Sequence, residues 1–112
     1  MLKPKYRFEF LVPLFYNDGT PIEAEHIDRA LHDLMQRFGA YRYQPTAPYE
    51  GAWTDVGAKQ SNLVYRDRSM LLTVDTDRDE SIVQWFTEFK LRLAELLRQL
   101  EIYITVTEIF WL

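Results

Sequence analysis

One stretch of this sequence mixes aromatic rings with charges of both signs: Tyr65-Arg66-Asp67-Arg68, with Trp53, Glu50 and Asp55 shortly upstream. Residues of these types can make a ligand site in which Arg66 or Arg68 holds an anionic group, Asp67 takes a proton and Trp53 walls the pocket. The same residues can equally make a salt-bridged strand entrance with tryptophan plugging the end of the core, a common structural use of ion pairs. Trp53, Tyr65, Arg66, Asp67 and Arg68 are therefore the candidate ligand-binding residues, with both readings open. The sequence names no catalytic residue.

Other chemistry is scarce. His26 and His32 are the two histidines, and six helical residues separate them by about 240° around an axis, so they cannot converge on one metal as residues four apart can. Solvated helix-face histidines are the plainer reading. No H-E-x-x-H, Gly-rich phosphate loop, P-loop or G-x-S-x-G elbow is present. With no cysteine there is no disulfide, thiolate metal site or cysteine nucleophile. No metal and no cofactor are expected.

The 112 residues, 47% hydrophobic and 15% aromatic, suit one domain spanning 1–112 with a single core. Met1-Leu2-Lys3-Pro4-Lys5 is charged but leads into no apolar leader core, and no apolar run is long enough to span a membrane. A soluble protein without membrane partners is expected, and the lack of cysteine leans towards the cytoplasm. A net charge of −4 argues against nucleic acid, whose phosphates select clustered Lys and Arg.

The elements that must position the candidates follow from periodicity. Residues 81–100 carry Ile82, Phe86, Phe89, Leu93, Leu96 and Leu100 at steps of four and three, one face of a helix, with Trp85 and Leu97 flanking and Leu91 opposite. Asp77 and Glu80 have the spacing of a cap and its N3 partner. A first helix is predicted over 21–38 from a Thr20 cap, Pro21 at the first position, Glu23 closing a capping box, the stripe Ile27, Leu31, Leu34 and Phe38, and the Gly39 stop. Residues 6–14 alternate as a strand, with Pro13 marking a bulge or the strand's end. Residues 63–74 make a long strand whose start projects beyond the core, and 75–80 a turn. Residues 102–112 make a last strand, with Ile102, Ile104, Val106 and Phe110 on one face. Short strand pieces are expected at 41–44 and near 52–54.

Strand, helix, strand, strand, helix, strand gives a ferredoxin-like α+β sandwich, a four-stranded antiparallel sheet with both helices on one face. Right-handed crossovers make the first and third strands central. The chain also resembles a family of small uncharacterised bacterial proteins of this element order. The residues that carry the resemblance are Arg37-Phe38-Gly39, Gly51-Ala52-Trp53, Tyr65-Arg66-Asp67-Arg68-Ser69 and Gln99 with Ile102-Tyr103-Ile104. The resemblance runs from about Phe8 to Tyr103 and implies the fold and nothing catalytic.

Alternation turns Leu11, Leu71, Ile109 and Trp111 to the sheet face away from the helices, where they are expected to form one apolar patch covered by a second copy. The functional expectation is a small homodimeric interaction or regulatory module without catalysis. The alternative is a small-molecule binder or cofactor-free enzyme of the dimeric α+β barrel type. An RNA-binding sheet is disfavoured, because the outward positions Arg7, Glu9, Leu11, Leu71 and Thr73 offer no rings on which bases could stack.

Overall fold

The computed structural model describes residues 1–43, 49–53 and 65–112, with 49–53 and 65–67 described by their backbone. Along the chain run β1 (Lys3–Pro13), α1 (Ala24–Phe38), β2 (Arg42–Tyr43), β3 (Tyr49–Trp53), β4 (Tyr65–Asp77), α2 (Glu80–Leu96) and β5 (Ile104–Trp111). All strand pairs are antiparallel. The order is β2-β4-β1-β5, with β3 continuing along the same β4 edge as β2, so the two short strands share one position of a four-stranded sheet. This is the expected ferredoxin-like α+β arrangement, with β1 and β4 central.

The core lies between the helices and one sheet face. Phe8, Phe10 and Val12 of β1 and Leu72 and Val74 of β4 meet Leu31 and Leu34 of α1 and Ile82, Phe86, Phe89 and Leu93 of α2. Phe86 stacks on Phe8 at 4.0 Å and on Phe38 at 5.1 Å, so one ring ties sheet to both helices. The phase of α2 is as its spacing predicts, with Phe89 and Leu93 buried and Leu91 exposed. No helix among the described residues is long and apolar enough to cross a membrane.

Several boundaries differ from expectation. α1 starts at Ala24, and Thr20 does not cap it; the N-cap position belongs to Glu23, which makes no side-chain cap bond. The Thr20-Pro21 signature yields to longer-range pairing: Tyr16 N–H donates to the Thr20 carbonyl, Ile22 N–H to the Leu14 carbonyl, and Phe15 bridges Pro21. Asp18 takes the Thr20 side chain, and Gly19 supplies the positive φ of +88° that the tight loop needs. α2 is capped by Asp79, whose carboxylate accepts from Ser81 N–H at 2.8 Å, and not by Asp77. Residues 75–77 are strand rather than turn, because Asp75 and Thr76 lie opposite Arg7 and Tyr6 in unbroken register. α2 ends at Leu96, which leaves Leu100 outside the helix and exposed while Leu97 is fully buried. Pro13 is the last residue of β1, opposite Ser69, where a missing N–H costs no further ladder bond.

Candidate functional site

β4 outruns its central neighbour. Its register with β1 begins at Ser69, so Tyr65 to Asp67, paired with β3, form a two-stranded arm beyond the core, with Arg68 at its root. Register sets Trp53 opposite Tyr65, Ala52 opposite Arg66, Gly51 opposite Asp67 and Glu50 opposite Arg68. The backbone thus places the five candidate residues on one arm, while Asp55 lies outside the described residues. Arg68, at the root of the arm, is exposed; its guanidinium sits 6.0 Å from the Phe15 ring and its carbonyl accepts from Leu14 N–H at 2.9 Å.

At the same end of the sheet is a cluster that sequence reading missed. Tyr16 is buried and its hydroxyl donates a hydrogen bond to Glu23 Oε2. His26 Nε2 lies 3.3 Å from the same oxygen, and the Arg98 guanidinium lies 4.7 Å from the Tyr16 ring. The donated hydrogen bond holds the Glu23 carboxyl below its ordinary range and, reciprocally, pushes the Tyr16 hydroxyl up. Arg98 adopts φ of 52°, uncommon outside glycine. Gln99 N–H donating to the Ala94 carbonyl and Arg98 N–H to the Glu95 carbonyl hold it there as the residue after the helix stop. The only sequence trace was Tyr16 and Glu23 flanking an Asn-Asp-Gly turn.

On the face away from the helices, Arg7 grips Asp75 with two bonds, Nε to Oδ1 at 2.8 Å and Nη2 to Oδ2 at 2.9 Å. Oδ2 also accepts from the Trp111 indole N–H at 3.1 Å and from Arg42 at 3.4 Å. The Arg7 bonds, followed by the indole, hold the Asp75 carboxyl below the usual carboxylate range. Lys5 pairs with Asp77 at 2.5 Å and lies 4.5 Å from the Trp111 ring. This network separates the four residues expected to make one patch. Leu11 sits opposite Leu71 at one end of the face, and Ile109 opposite Lys5 six residues away along β1. At strand rise that is about 20 Å, so the apolar surface is two small groups rather than one.

Between α1 and α2 lie two adjoining clefts of about 460 and 450 Å³ that share Asp33 and Arg92. Trp85 walls one; buried Ala30, Phe89 and Leu93 floor the other. His32 is exposed on α1, apart from His26, and among the described residues no group of three His, Asp or Glu is arranged to hold a metal ion.

No protein-family model and no curated protein matches this sequence. In three dimensions the chain is similar to a phage SAM lyase in complex with S-methyl-5'-thioadenosine, with a TM-score of 0.71 and 12% identity over 96% of this chain and 87% of that one. A phage SAM lyase in the apo state matches with a TM-score of 0.61 and 11% identity over 98% and 87%. At such identities the likeness establishes a shared fold.

Proposed function

We propose that this protein is a small-molecule enzyme or binder whose ligand is an adenosyl sulfonium, or the adenosyl thioether left when a sulfonium carbon–sulfur bond breaks. The observation that carries this reading is the likeness, over nearly the whole chain, to a phage SAM lyase holding S-methyl-5'-thioadenosine. It favours the small-molecule alternative over the non-catalytic interaction module.

The chemistry asks for little that this chain lacks. When such a bond breaks the electron pair stays on sulfur, which leaves as a neutral thioether and needs no acid to protonate it, while the carbon it leaves takes an electron pair in the same step, either from a nucleophile within the substrate such as its carboxylate or from a neighbouring C–H bond that gives up its proton. What the protein must do is hold a cation and an adenosyl group in a fixed pose. Glu23, kept ionised by the Tyr16 hydroxyl and with its side chain half exposed, supplies negative charge. The projecting arm with Trp53 and Tyr65 leaves the sheet at this end, which supports placing the ligand there.

The test is direct. Purified protein incubated with S-adenosylmethionine is expected to release S-methyl-5'-thioadenosine, followed by liquid chromatography, and Glu23→Gln to slow that release. S-methyl-5'-thioadenosine alone is expected to raise the melting temperature, by an amount that grows with the logarithm of its concentration above Kd. No product, together with no thermal shift at millimolar ligand, overturns the proposal.

A further inference from the structure

β5 is an edge strand. One side is bonded to β1 from Ile104 to Trp111, and among the described residues the sheet order places no strand on the other. Its sequence, ITVTEIFW, has no proline and no glycine, its register with β1 has no bulge, and Glu108 is its one charge. Natural edges are usually blunted by such devices, because a row of unpaired N–H and C=O groups recruits another strand. Both faces of this strand also carry apolar side chains open to solvent: Val106 and Phe110 are 50% and 59% exposed on the helix side, Phe110 with Arg78 against its ring, and Trp111, its indole N–H turned to Asp75 and Lys5 against its ring, 42% on the other, with Tyr103 just before the strand 74% exposed.

We propose that the occupant of this edge is the β5 strand of a second copy, paired antiparallel about a twofold axis at Thr107. Two registers overlap the full strand, centred on Thr107 or on Glu108. The second sets two carboxylates face to face, which is unfavourable. The first sets Tyr103 opposite Trp111, Ile104 opposite Phe110, Thr105 opposite Ile109 and Val106 opposite Glu108. The Glu108 carboxylate already lies 3.7 Å from the Arg78 guanidinium of its own chain, so it meets Val106 as half of an ion pair. The product is one continuous eight-stranded sheet with all four helices on the same side.

The area agrees. At their exposures the rings of Tyr103, Phe110 and Trp111 offer about 350 Å² per copy. That is close to half of the roughly 800 Å² per partner of a standard interface, before Val106 and the strand backbone are added. Leu11 and Leu71, on the central strands, take no part.

Because the chain has no cysteine, single engineered thiols read the register without interference. Light scattering behind size exclusion is expected to give twice 13.4 kDa across the micromolar range. Thr107→Cys places two thiols across the axis and is expected to oxidise to a covalent dimer. Thr105→Cys places its two copies about 14 Å apart, beyond the reach of a disulfide, and is expected to stay free. Thr105→Cys combined with Ile109→Cys restores cross-linking. A monomer at all these concentrations, or Thr105→Cys cross-linking as readily as Thr107→Cys, overturns the proposal.

Discussion

The indole N–H of Trp111 donates to Asp75 Oδ2 at 3.1 Å, joining β5 to β4 over the top of β1, the strand that separates them. The bond ties the last strand to an ion pair in the centre of the sheet, and Lys5 of β1 lies 4.5 Å from the same ring. Trp111→Phe keeps a ring near Lys5 but deletes the donor, while Asp75 keeps Arg7. A loss of about 1 kcal/mol in urea denaturation is expected. A change of zero within error would mean that the bond contributes nothing to folding.

Asp75 should govern part of the acid sensitivity. Its carboxyl titrates below the ordinary range because Arg7 and then Trp111 bond to the ionised form. A carboxylate with a depressed folded pKa contributes stability that is complete above its unfolded value, about 3.9, and is lost as pH falls through the folded one. Asp75→Asn is therefore expected to cost about 1.5 to 3 kcal/mol at neutral pH, with the gap from the parent closing below about pH 4. Urea midpoints at neutral pH and in acid check this; a gap of constant size contradicts it.

The core stripe of α2 separates two leucines two positions apart. Leu93 is buried against β1 and α1, and Leu93→Ala is expected to cost about 2 to 5 kcal/mol through the cavity it leaves. Phe89→Ala falls at the upper end of the same range. Leu91 is 63% exposed, and Leu91→Ala should stay within about 0.5 kcal/mol. Guanidinium melts should rank the losses Phe89→Ala, Leu93→Ala and Leu91→Ala, from largest to smallest.

The helix starts can be distinguished in the same way. Asp79 caps α2 through Ser81 N–H, so Asp79→Ala is expected to cost about 1 kcal/mol. Thr20 caps nothing and its hydroxyl donates to exposed Asp18, so Thr20→Ala should cost less than half as much. Equal losses in thermal melts would restore Thr20 as a cap.

What could be read in the sequence was whatever depends on near neighbours along one element. Phe86, Phe89 and Leu93 declared α2 because burial on one face of a helix needs only the right period. The first helix start was misread for the opposite reason: Thr20, Pro21 and Glu23 satisfy every local rule for a cap, but Leu14 and Ile22 pair across the loop and claim the backbone first. Asp75 looked like a turn residue because its partner, Arg7, is 68 positions away. The arm could be read from Arg66-Asp67-Arg68, charges too dense for a buried face. The Tyr16–Glu23 contact could not, since a loop rather than a period brings the two residues together.

β4 runs thirteen residues without a glycine, a proline or a break in register, from the arm at one end to Asp75 and Asp77 at the other. Mechanically it is a lever whose fulcrum is the core. Tyr65 and Asp75 are about 33 Å apart along one stiff rod, with no joint between them to absorb torsion. The strand that presents the arm to solvent is thus the same one whose far end the Arg7–Asp75 pair anchors in the sheet.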